Sequence, residues 1–156
     1  MLDITIQGRG QFKFSHLVLD YNGTLAVDGV LIEGIAPYLN ELAEKLQIHV
    51  ITGDTFGKAR AELANVQCKL TILNPENQVL AKVHYLRQLH EQETIAIGNG
   101  YNDHQLLKEA TIGIAVVGDE GAATETIMAA DLVVPTIFTA LGLLQNTRRL
   151  LATLRT

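Results

Sequence analysis

The chain is short of cysteine, of basic charge and of long apolar runs. Its only cysteine, Cys68, has no partner for an internal disulfide, which fits a reducing compartment. No recognisable partner residue stands near Cys68 in the sequence, so the thiol reads as idle. Twelve Lys and Arg face seventeen Asp and Glu, a net charge of −5. That balance argues against a general nucleic-acid-binding surface. No apolar run approaches the ~18–20 residues of a membrane span. The opening MLDITIQGRG lacks the basic-then-apolar order of an export signal. The expectation is a cytoplasmic protein with neither nucleic acid nor membrane as a partner.

What is present is ordinary globular material, 47% apolar and 19% charged, which argues against disorder. There is no long linker, repeat or low-complexity stretch. One domain spanning residues 1–156 is therefore expected. Residues 2–7 and 11–15 alternate apolar and polar around Gly8-Arg9-Gly10 and predict an N-terminal β-hairpin.

Beyond the hairpin the pattern changes. Short apolar runs follow at His16–Asp20, Ile48–Thr52, Leu70–Leu73, Thr94–Gly98, Ile112–Val117 and Asp131–Val134. Runs of this kind suit strands covered on both faces. Helical spacing separates them at 35–46, 55–66, 76–90, 102–110 and 121–130, and a final helix is predicted over 137–154. The apolar stripe of that last helix, including Leu141, Leu144 and Leu150, reads as core. Alternating strands and helices predict a three-layer α/β fold around a doubly wound parallel sheet with right-handed crossovers.

Ligands of such sheets bind outside the carboxyl ends of the strands. Asp20 ends the first central strand, and Gly23 lets the chain turn sharply and lets a substrate come close. Its carboxylate can attack phosphorus or ligate a hard cation. Thr52 and Gly53 end the next strand with a hydroxyl and a backbone N–H, a small anion cradle. Lys82 is placed on the exposed side of its helix beside Val83, and could offset phosphate charge if it reached the same crevice. GNGYND puts Asn99, Asn102 and Asp103 on one strand-to-helix turn, which suits a helix cap as well as a metal and phosphate shell. The five histidines show no metal-ligand spacing.

DYNGTL, ITGD, Lys82 and GNGYND stand in the order of the four motifs of the haloacid dehalogenase superfamily, which the chain resembles over roughly residues 14–135. The stretch from Pro75 to Val116 is most similar to the phosphorylation domain of P-type ATPases, here without membrane helices. The resemblance implies Asp20 as nucleophile, with Asn22 lending its backbone carbonyl to Mg2+. It implies Thr52 and Lys82 on the transferring phosphoryl group, with Asn102 completing the metal and phosphate shell; the turn at Gly23 and the backbone N–H of Gly53 would add to the phosphate cradle. It places Asn99 where the family carries a magnesium carboxylate, and Asp103 in the same metal shell. Residues 25–32, LAVDGVLI, resemble the family's flap hairpin, and the gaps between motifs leave no room for a cap domain. An open crevice of this sort implies a phosphorylated substrate, small or macromolecular, or a second copy of the chain as its cover.

Two positions depart from the phosphatase pattern. Asn22 stands where an acid protonates the leaving oxygen and later activates water, work typically worth about 10²–10⁴-fold. Asn99 offers an uncharged oxygen to the metal. Both precede glycine, the pairing most prone to deamidation. The expectation is a slow magnesium-dependent phosphohydrolase acting through Asp20. The alternative is a non-catalytic phosphate- or nucleotide-binding relative; a phospho-accepting response regulator fits less well, because its paired acids are missing.

Overall fold

The computed structural model describes all of residues 1–156. Two strands, β1 (Leu2–Ile6) and β2 (Gly10–Phe14), form the predicted antiparallel hairpin. Ile4, Ile6 and Phe14 drop from it into the core. The main sheet has six strands: β3 (His16–Asp20), β6 (Gln47–Thr52), β7 (Lys69–Ile72), β8 (Thr94–Gly98), β9 (Ile112–Val116) and β10 (Leu132–Val134). Their spatial order is β10-β9-β8-β3-β6-β7 and every neighbouring pair is parallel. A second small hairpin, β4 (Ala26–Val27) and β5 (Val30–Leu31), follows β3 where the flap was expected. Asp28 and Gly29 turn it with positive φ, 52° and 78°, the backbone that an Asp-Gly hairpin turn requires.

Seven α-helices cover the sheet: α1 (Ile35–Ala43), α2 (Ala59–Glu62), α3 (Gln78–Gln88), α4 (His104–Glu109), α5 (Thr124–Ala129), α6 (Ile137–Gln145) and α7 (Thr147–Leu154). Alternate residues of the strands face opposite layers, as the two-residue pleat demands. Leu17 and Leu19 join a cluster of 30 buried residues with α1, α6, α7 and the N-terminal hairpin. Val18, Ala96 and Ala115 face the other way into a cluster of only 8 with α3 and α4. Small strand residues on that second face let its helices lie close: a Cβ at Gly113 would strike the backbone of Leu107. The core is therefore lopsided, with most apolar bulk on one side of the sheet.

Three helices differ from expectation. The predicted helix over 55–66 shrinks to Ala59–Glu62, because Asp54 and Gly57 take positive φ and spend the preceding residues on a turn. The helix expected from 102 opens with a 3-10 turn at Tyr101–Asp103 before α4. The helix expected over 137–154 is two helices, broken at Asn146 with φ −117° and ψ 81°. The break redirects α7 so that Leu150 and Leu154 bury against the core beside β1. As expected of core, Leu141, Leu144 and Leu150 are buried. No helix is long and apolar enough to cross a membrane.

Candidate active site

The strand order reverses at β3: the chain goes to β6 and β7 on one side, then returns to β8 on the other. Such a switch point opens a crevice at the carboxyl ends of the strands. Asp20 ends β3 on one lip, and Asn99 follows β8 on the other. A cleft of about 410 Å³ lies there, lined by Asp20, Asn22, Thr52, Gly53, Asn99 and Asn102 among ten residues. Only one of the ten is hydrophobic.

The floor is a row of charges. Lys82 Nζ donates to Asp20 Oδ1 at 2.7 Å, to Asp103 Oδ1 at 2.6 Å and to Asn102 Oδ1 at 3.4 Å. Lys82 has no exposed surface, so its expected place on a solvated helix face is corrected. Val83 and Leu86 share its buried side of α3, and two carboxylates from other elements compensate the ammonium. Burial alone would make the ammonium easier to deprotonate; Asp20 and Asp103 reverse that and hold it above the ordinary amine range. Burial and the charge of Asp103 push the Asp20 carboxyl up, to about 6, against the pull of Lys82.

Asp103, expected among the metal ligands, does not line the cleft. Its Oδ1 holds Lys82, and its Oδ2 accepts from the backbone N–H of Asn99 at 3.1 Å and of Gly100 at 3.0 Å. Both oxygens are engaged and the residue is fully buried. Its position under the lysine follows from the tight Gly98–Gly100 turn, where a Cβ on Gly98 would meet the Asp103 carboxylate at 2.5 Å.

Thr52 caps its own turn: its Oγ1 accepts from Asp54 N at 2.9 Å, which leaves the hydroxyl hydrogen free for a ligand. A side chain at Gly53 would meet the tip of Gln78 and push it from its place in the cleft wall. Gly23 has φ +80°, and a Cβ on it would run into the Asn99 amide. The turn after Asp20 thus sits directly on the β8 lip.

Two contributors receive no role from the sequence. Thr24 Oγ1 lies 3.2 Å from Asp20 Oδ2 and 3.1 Å from Asn99 Oδ1, tying the lips together. Gln78 accepts from Asn102 Nδ2 at 2.7 Å and walls the cleft. Each had a signal, since Thr24 lies inside DYNGTL and Gln78 precedes Lys82 by one helical turn.

The oxygen balance of the site suits a hard cation. Thr24 has one hydroxyl proton for two acceptors, Asp20 Oδ2 and Asn99 Oδ1. Asn99 cannot turn its amide to supply another, because Nδ2 donates to Gly121 O at 3.0 Å. Asn22 Oδ1 is the buried side-chain polar atom with no hydrogen-bond partner, and Asn22 lines the same cleft. An oxygen set short of protons is what magnesium takes. There is no cluster of three His, Cys, Asp or Glu groups anywhere in the chain, so any cation here would be held largely by neutral oxygens.

Fold and site define an α/β protein built on a parallel sheet, with a charged polar crevice at the strand ends. A family model of haloacid dehalogenase-like hydrolases matches residues 75–137. Among curated proteins, the chain is 48% identical over 83 residues to an uncharacterised protein of Methanocaldococcus jannaschii, covering 51% of this chain and 89% of that one. It is 32% identical over 108 residues to a probable copper-exporting P-type ATPase of Archaeoglobus fulgidus, covering 67% of this chain but 13% of the ATPase. Among solved structures, the 3-deoxy-D-manno-octulosonate 8-phosphate phosphatase of Moraxella catarrhalis superposes with a TM-score of 0.70 at 16% identity, covering 91% of this chain and 94% of that chain. The chain belongs to the haloacid dehalogenase superfamily and, with only a small hairpin and one helix between β3 and β6, has no cap domain there.

Proposed function

We propose that the chain acts as a single unit over residues 1–156 and is a magnesium-dependent phosphotransferase or phosphohydrolase that works through an aspartyl-phosphate on Asp20. The observation that carries this is the Asp20–Lys82–Asp103 row beneath a polar cleft at the sheet's switch point. Asp20 attacks the phosphorus. The free Thr52 hydroxyl draws a phosphoryl oxygen toward it, with Gly23, Gly53 and Asn102 shaping the rest of the cradle. The buried Lys82 ammonium holds the Asp20 carboxylate and offsets the incoming phosphate charge from beneath. Asp103 positions Lys82. Asp20, Asn22 and Asn99 would hold magnesium, which when bound shields the approach of carboxylate to phosphate.

Water must then hydrolyse the phosphoenzyme. Asn22 cannot take a proton from that water, so phospho-Asp20 persists longer than it would beside an acid. Incubation with magnesium and an aryl phosphate tests the reading. Asp20→Asn abolishes both labelling and turnover, and Asn22→Asp raises turnover by about 10²–10⁴-fold. Equal rates in the wild type and both variants would leave the site a phosphate-binding relic.

A further inference from the structure

We infer that this site accepts only activated phosphoryl donors, those whose leaving group departs as a stable anion: acyl phosphates and aryl phosphates, and not alkyl phosphomonoesters such as sugar phosphates. The inference rests on the phosphoryl-transfer reading above and specifies the donor that reading requires.

Its basis is a census of protons around Asp20. Asn22, two residues on, is an amide, and its free Oδ1 can only accept. The three N–H groups of Lys82 go to Asp20, Asp103 and Asn102, and no part of the residue reaches the cleft surface. Asp103 spends both oxygens on Lys82 and two backbone amides. The Thr24 proton lies between Asp20 and Asn99. His104 follows the cleft turn but places Nδ1 2.6 Å from the Tyr101 carbonyl, and it does not line the cleft. The remaining lining groups are Thr52, Thr55, Gln78, Asn99, Asn102, two glycines and Tyr101, a residue 58% exposed. Amides and aliphatic hydroxyls hydrogen-bond a leaving oxygen but do not protonate it, and the one phenol, Tyr101, has its ring packed on His104 with centroids 4.7 Å apart and is removed separately by Tyr101→Phe.

The first half-reaction is therefore proton-free. An Asp20 oxygen bonds to phosphorus and the bond from phosphorus to the leaving oxygen breaks. Both electrons stay on that oxygen, which departs as a carboxylate or phenolate. An alkoxide is far more basic and needs a proton in the transition state. General-acid help worth about 10²–10⁴-fold is missing for it.

The test is the dependence of kcat/KM on leaving-group acidity. Substituted phenyl phosphates, acetyl phosphate and glycerol 3-phosphate are compared with magnesium at one pH. Because kcat/KM ends at departure of the leaving group, slow hydrolysis of phospho-Asp20 does not blur it. In the wild type the rate should fall steeply as the leaving group becomes more basic. Acetyl phosphate should label Asp20 and glycerol 3-phosphate should leave it unlabelled. Asn22→Asp should flatten the slope, gaining about 10²–10⁴-fold for the most basic leaving groups and little for the most acidic. Tyr101→Phe should leave the slope unchanged. A shallow wild-type slope, a uniform gain in Asn22→Asp, or a steeper slope in Tyr101→Phe would each overturn the inference while Asp20 labelling still stood. Labelling or turnover that survives Asp20→Asn would overturn the phosphoryl-transfer reading, and this inference with it.

Discussion

Lys82 and Asp103 form the shortest ion pair in the protein, 2.6 Å, and neither has any exposed side-chain surface. The pair joins α3 to the turn before α4, and through Asp20 it joins both to β3. Removing one partner of a buried pair strands the other charge, at a typical cost of about 3–5 kcal/mol. Asp103→Asn should therefore lower stability by that order in urea denaturation, although asparagine keeps the shape. A loss below about 1 kcal/mol would mean that Asp20 alone satisfies the lysine.

The burial of Lys82 also marks where sequence reading stops. The six core strands were legible because runs such as HLVLD and TIAIG have unbroken apolar centres, as strands covered on both faces must have. The strand ends that carry Asp20, Thr52 and Asn99 followed from that. Lys82 looked solvated because its compensating charges, Asp20 and Asp103, lie 62 and 21 positions away. The break at Asn146 was hidden by an apolar stripe that continues through it. A local period cannot report that the two halves pack in different directions.

Asn99 offers the cleft an amide oxygen that already lacks a full complement of protons. Asn99→Asp adds formal charge at the same place, and contacts to charged partners are roughly twice as strong as neutral ones. Magnesium titrated calorimetrically should bind the variant at least about tenfold more tightly, a change of ~1.4 kcal/mol. Unchanged affinity would remove Asn99 from the metal shell.

Both Asn-Gly pairs should resist deamidation in the folded protein, despite their sequence. The reaction needs the glycine N–H nitrogen to swing onto the asparagine side chain. Gly23 N is instead held by Ala26 O at 2.8 Å, and Gly100 N by Asp103 Oδ2 at 3.0 Å. Peptide mapping after incubation should find asparagine at 22 and 99 in native protein, and aspartate or isoaspartate only once urea has unfolded it. Comparable conversion in the two states would show that those bonds open readily.

The opposite end of the sheet carries a polar chain with its own pH dependence. His16 Nδ1 lies 3.1 Å from His49 Nε2, and His49 Nδ1 lies 2.9 Å from the Tyr85 hydroxyl on α3. His49 is buried. Burial, then His16, then Lys69 push its pKa down to about 4. In the unfolded chain an ordinary imidazole takes up its proton near pH 6.5. Between those values the unfolded state binds the proton and the folded state does not, so stability falls as pH drops from about 6.5 to about 4. At ~1.36 kcal/mol per pH unit the ceiling on that loss is about 3 kcal/mol. Asp20 works the other way, because its raised pKa makes the fold bind a proton more tightly than the unfolded chain does. Its contribution cancels when the wild type is compared with His49→Gln, which keeps a polar side chain and cannot titrate. Thermal melts over this range should show the wild type losing stability relative to His49→Gln as the solution is acidified. Parallel curves for the two proteins would mean that His49 accepts its proton inside the fold without penalty.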